Sequence, residues 1–162
     1  MHTIKVKIAD LAVLRSEGLL ITIGLGSCVG IALYDAESKV GGLAHILLHR
    51  SSQFGNRTNT FNPAKFADTA IPVLIKKMEK IGGRRKRFMA KIAGGSQLFN
   101  FRKSTGISIG EKNIEVVRQT LHELKIPLRG EDVGGNFGRT MRFFVDSGKV
   151  LITTMGRGDR EL

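Results

Sequence analysis

Three short apolar runs, at residues 19–23, 29–34 and 41–48, follow one another in the first third of the chain. They are divided by Gly24-Leu25-Gly26-Ser27-Cys28 and by a polar turn over residues 35–39. Runs this short, bounded by turn residues, read as strands. Cys28 therefore falls between two strands, with glycine on either side of it. That placement removes the dinucleotide-binding reading of the glycines: Val29 stands at the third glycine position, and a strand follows where a helix should start.

The rest of the chain extends this pattern. Residues 1–8 alternate apolar with polar and lack the apolar core of a signal peptide, so they read as a first strand. Residues 50–63 are polar and read as loop. Asn62-Pro63 supplies an N-cap and a proline at the first helical position, after which Phe66, Ala70, Ile71, Leu74, Ile75, Met78 and Ile81 recur at helical spacing up to Gly82-Gly83. Pro72 conflicts with that helix, since an interior proline costs about 3 kcal/mol. Residues 88–93 read as a strand, and Gly94-Gly95 as a tight turn or a close backbone approach. Ile114, Val117, Leu121 and Leu124 mark a second helix, stopped at Pro127. Residues 141–145 and 150–154 flank Asp146-Ser147-Gly148-Lys149 as a hairpin. With no repeat and no linker, residues 1–162 are expected to form a single α/β domain, a mixed sheet with two helices packed on it.

A chain of 162 residues, 41% hydrophobic, can bury a core without disulfides or a structural metal. No stretch approaches the about 20 apolar residues that span a bilayer, so no membrane insertion is expected. A single cysteine forms no internal disulfide and suits the reducing cytoplasm. The formal charge of +12 favours acidic partners. The densest basic run, Arg84-Arg85-Lys86-Arg87, comes without zinc-finger or aromatic nucleic-acid motifs, so it reads as a solvated or protein-binding face and no nucleic-acid partner is expected.

Glycines around Cys28 permit an unusual backbone, open space for a substrate carbonyl and free N–H groups for an oxyanion. Gly26-Ser27-Cys28-Val29-Gly30 also resembles the Gly-x-Cys-x-Gly elbow of glutamine amidotransferases, without the helix that follows it there. The competing reading is a buried structural cysteine in a glycine-rich turn. A nucleophilic thiol needs a base, and His45 lies one turn downstream, where neighbouring antiparallel strands can bring the two side by side. His45 could equally be a core histidine satisfied by a carbonyl. His49, four residues on, would share the His45 face of a straight strand. The pair lacks the glutamate of the zinc-protease motif and further ligands, so neither a metal nor an organic cofactor is expected.

The residues resemble a family. Thr22 to Val29, Gly42-Leu43-Ala44-His45, Lys65 to Ala70, Lys91 to Gly95, Ile109 to Asn113 and Glu131 to Asn136 look like the successive motifs of CheD, the chemoreceptor glutamine deamidases of bacterial chemotaxis. The resemblance implies a three-layer α-β-β sandwich similar to the catalytic domain of the cytotoxic necrotizing factor toxins. It implies a nucleophilic Cys28, a His45 base and a Thr22 that helps fix the imidazole, with backbone N–H groups near Ser27 and Cys28 holding the oxyanion. The implied substrate is a glutamine side chain on the cytoplasmic domain of a methyl-accepting chemotaxis protein, deamidated through a thioester; a glutamyl methyl ester could be cleaved by the same groups. The implied partner is CheC, the phosphatase of phosphorylated CheY. An adaptor that binds and activates CheC is therefore a second expectation, and nonspecific nucleic-acid binding a distant third. One departure is Leu48-His49-Arg50, where the family usually reaches a proline. Leu98, Phe99 and Phe101 crowd a segment read as loop, so they are either tucked into the core or offered to a partner, and Phe101 and Phe99 are candidate anchors for CheC or the receptor.

Overall fold

The computed structural model describes residues 1–53, 61–98 and 107–162. In chain order these hold β1 (Thr3–Lys5), β2 (Asp10–Arg15), β3 (Leu19–Leu25), β4 (Val29–Asp35), β5 (Val40–Ile46), α1 (Ala67–Lys80), β6 (Met89–Gly94), α2 (Ile109–Glu123), β7 (Leu128–Val133), β8 (Arg139–Phe144), β9 (Lys149–Thr154) and β10 (Gly158–Glu161). The strands make two mixed sheets, ordered β1-β3-β8-β9-β10 and β2-β5-β4-β6-β7. The single mixed sheet read from the residues is thus corrected to two. The polar strands β7 and β10, together with β2, complete sheets that the apolar runs alone leave short.

Every residue of β4 and β5 is buried. One face, with Val29, Ile31, Leu33, Val40, Ala44 and Ile46, packs on α1 and α2. The other, with Cys28, Ala32, Tyr34 and Leu43, meets Leu20, Met141, Phe143 and Ile152 of the first sheet. The layers therefore run helices, sheet, sheet, the α-β-β order expected. Cover on both faces explains why β4 and β5 read as continuous apolar runs. In β8, buried and half-buried residues alternate, as suits a strand with one face on the core.

Asn62 caps as expected, its Oδ1 accepting from Ala64 N at 3.0 Å, but what it caps is a 3₁₀ turn over Pro63–Lys65. Helix α1 starts beyond it and runs unbroken through Pro72. The hydrogen bond that proline forfeits is the one to the Asp68 carbonyl, about one turn from the helix start. Burial of Ala70, Ile71, Leu74, Ile75 and Met78 against the sheet carries the helix past that loss. Helix α2 starts on Ser108, whose Oγ accepts from Glu111 N at 3.1 Å.

Candidate active site

The link between β3 and β4 is the elbow Gly26-Ser27-Cys28, and its three carbonyls are all tied down. Gly26 O accepts from Ser96 N (2.8 Å) and Ser96 Oγ (2.9 Å). Ser27 O accepts from Asn113 Nδ2 at 2.9 Å, and Cys28 O from Gly95 N at 2.8 Å. The Gly94-Gly95 pair makes the close approach that its sequence suggests. Gly94 sits at φ +111°, and a Cβ there would collide with the Cys28 carbonyl.

Strand register brings His45 to the cysteine. β4 and β5 pair antiparallel with Val29 opposite Ile46 and Gly30 opposite His45. Cys28 immediately precedes β4, and its side chain joins the cluster between the sheets, the side on which His45 meets Thr22 of the neighbouring sheet. Both lie between the sheets. Cys28 is 6% exposed, and His45 and Thr22 are fully buried. Gly30, opposite His45, faces Met141 and Leu25 directly, so the sheets close tightly beside the imidazole.

Thr22, on β3 of the other sheet, is hydrogen-bonded to the imidazole. Its Oγ1 lies 2.6 Å from Val6 O and 2.6 Å from His45 Nδ1. A hydroxyl has one proton. The Val6 carbonyl can only accept, so Thr22 donates to Val6 and accepts from a protonated Nδ1. His45 therefore holds its lone pair on Nε2, the atom a base uses. Among the described residues Nε2 is buried with no hydrogen-bond partner. Burial lowers the His45 pKa to about 4, so the ring is neutral at pH 7. Burial pushes the Cys28 thiol up, while its own backbone N–H, which bears on the sulfur, pulls it partly back. The resting thiol and imidazole are thus both uncharged at pH 7.

The remaining sequence candidates separate. β5 ends at Ile46, and Leu48 bridges to Phe66, so the alternation that would put His49 on the His45 face stops before reaching it. Phe99 and Phe101 lie outside the described residues. Leu98, 47% exposed, lies over Gly26. Beside it Gln97, Leu98, Gly135 and Asn136 line a cleft of about 300 Å³ that flanks the elbow. The basic run is only partly a solvated face: Arg87 Nε and Nη2 hold Asp35 at 2.8 and 2.9 Å, and Arg84 N adds a third bond at 2.9 Å.

Asn113 is the residue that single-residue reasoning passed over. It is fully buried on α2, and its Nδ2 donates to both Ser27 O (2.9 Å) and Leu47 O (3.1 Å). The signal was present, since an asparagine one turn before Val117 interrupts the apolar stripe of an amphipathic helix.

Fold and site together define a layered α/β protein with a buried cysteine–histidine pair whose imidazole tautomer is set from the neighbouring sheet. The family model described as CheD chemotactic sensory transduction matches residues 47–154. A Clostridium botulinum (strain Hall) protein named "Probable chemoreceptor glutamine deamidase CheD" is 53% identical over 160 residues, covering 98% of this chain and 97% of its own. A Moorella thermoacetica protein of the same name is 56% identical over 156 residues, covering 95% of this chain and 92% of its own. The chain belongs to the CheD family. The family-model match begins just beyond His45, and the near full-length relatives extend the likeness across the segment that holds Cys28 and His45.

Proposed function

We propose that this protein deamidates glutamine side chains on the cytoplasmic domain of bacterial chemoreceptors, through a thioester on Cys28. The observation that carries the mechanism is the chain Val6 O, Thr22 Oγ1, His45 Nδ1, which leaves Nε2 as a buried lone pair with no partner among the described residues. Cys28 Sγ attacks the carboxamide carbon while its proton passes to Nε2. The oxyanion is held by backbone N–H groups of the elbow, at Ser27 and Cys28. Collapse expels ammonia, which takes the proton from Nε2 and leaves the thioester. Water then gives a proton to Nε2 and adds to the thioester; glutamate leaves and the thiol is restored. The net reaction consumes one water and releases one ammonia per glutamine.

The names of the relatives support the substrate, and the net charge of +12 suits an acidic receptor surface. No helix among the described residues is long and apolar enough to cross a membrane. The test is mass spectrometry of a purified receptor cytoplasmic fragment incubated with the protein. Conversion of particular glutamines to glutamate by the wild type, and none by Cys28→Ala, is the expected result. Intact glutamines after incubation with the wild type, or equal conversion by the mutant, would overturn the reading.

A further inference from the structure

The mechanism needs the Cys28 N–H turned toward the developing oxyanion, and something must hold that peptide plane. In a trans peptide the C=O and N–H point in opposite directions. Wherever the Ser27 carbonyl is fixed, the Cys28 N–H is sent the other way. The Ser27 carbonyl is fixed by Asn113 Nδ2 at 2.9 Å, from α2 on the far side of the sheet. The same Nδ2 donates at 3.1 Å to Leu47 O, two residues beyond His45. Both partners are acceptors, which assigns the amide nitrogen to that side. One NH₂ group therefore ties the nucleophile's elbow to the end of the histidine's strand. Its Oδ1 is buried without a partner among the described residues. A position needed only to fill space between helix and sheet would hold an apolar side chain more cheaply than an amide with an unpaired oxygen.

We infer that Asn113 is a positioning residue for the deamidation: it orients the Ser27–Cys28 peptide so that the Cys28 N–H faces the oxyanion, and it locks the elbow to the His45 strand. The inference rests on the deamidase reading above. The effect of the Cys28 N–H on its own sulfur agrees with an N–H on the side of the thiol.

The test separates oxyanion support from thiol integrity. Alkylation of Cys28 by iodoacetamide is a displacement at carbon that builds no oxyanion, so it reports the thiol and its base alone. Asn113→Leu keeps similar bulk, removes both donors and also removes the unpaired oxygen; Asn113→Ala serves as a second variant should the leucine fail to fold. Deamidation of the receptor fragment should lose about 100-fold in kcat, the effect expected of a misplacement near 1 Å, with KM little changed. The rate of Cys28 alkylation and its pH profile should stay near wild type. Near wild-type deamidation by a folded variant would overturn the inference, as would a parallel fall in deamidation and alkylation, which would mark a general loss of structure. Failure of the wild type to deamidate the fragment would remove the parent reading and this inference with it, and is told apart by needing no mutant.

Discussion

Strand β4 begins one residue after Cys28 and ends at Asp35, and its two ends treat buried polar groups in opposite ways. At the Asp35 end the carboxylate accepts from Arg87 Nε and Nη2 and from the backbone N–H groups of Arg84, Glu37 and Ser38. Burial alone would raise its pKa, but these bonds outweigh burial and hold the carboxyl well below its ordinary range. At the Cys28 end His45 Nε2 and Asn113 Oδ1 are buried with no partner among the described residues. Burial there keeps both ring and thiol neutral. The end whose carboxylate is fully bonded serves the fold, although Ser38 Oγ beside it is buried without a partner among the described residues. The end with atoms left open is where a substrate would supply the missing partners.

The sharpest way to break this contrast is at the thiol. Cys28→Ala should abolish turnover, a loss of at least about 10⁴-fold, with little change in urea midpoint. His45→Ala should lose about 10³-fold in kcat per folded molecule, with some loss of stability because the ring is fully buried. Full activity in either folded mutant would make the open end structural after all.

The Asp35 end should answer the other way. Asp35→Ala strips an acceptor from several N–H groups and from Arg87, and should cost about 3 kcal/mol in chemical denaturation. Turnover per folded molecule should be unchanged, and a selective fall in kcat would mean the two ends are coupled.

Acid should probe both ends in sequence. His45 titrates near pH 4 when folded against an ordinary 6.5, so the unfolded chain takes up its proton first. The His45 contribution is complete above about pH 6.5 and is lost as pH falls toward about 4, by up to ~3 kcal/mol. Asp35, with its carboxyl held down, loses its contribution only below the ordinary carboxylate range near 3.8. Urea titrations across this window should show stability declining in the wild type and less so in His45→Gln; parallel curves would show that the ring is not held neutral.

The smallest effect belongs to Thr22→Val. The imidazole keeps its place in the strand but loses the acceptor that sets its tautomer, and kcat should fall about tenfold. Unchanged turnover would leave the hydroxyl without a part in catalysis.

How much of this could be read in advance follows the same division. The central strands β3, β4, β5, β6, β8 and β9 were legible because burial leaves apolar runs or clean alternation. Three of the four edge strands were not. β2 lies at one edge of its sheet with mostly half-buried residues, β7 at the other carries Arg129, Gly130, Glu131 and Asp132, and β10 is exposed throughout. Edge strands face water on one side and need no apolar signature. Without them a second sheet cannot be counted. Cys28 and His45 were legible because one lies at the glycine-flanked entry to β4 and the other on β5, consecutive strands joined by one short turn. Thr22 meets His45 across the gap between sheets, which no local pattern encodes, and its expected part came from family resemblance alone. Asn113 acts through the sheet from the helix layer, so only its odd place on an apolar stripe gave it away.

The Thr22–His45 hydrogen bond also has a mechanical meaning. It is one of the directional contacts by which one sheet reads the position of the other, along with Tyr34 Oη donating to Val145 O and Arg139 Nε donating to Asp132 Oδ1. Apolar contacts between the sheets, such as those of Leu43 and Phe143, are non-directional and tolerate small sliding. A hydroxyl placed 2.6 Å from both a carbonyl and a ring nitrogen does not. In the proposed mechanism turnover would therefore act as an alignment gauge for the sandwich: repacking between the sheets far from Cys28 would leave the melting temperature in place and still lower kcat.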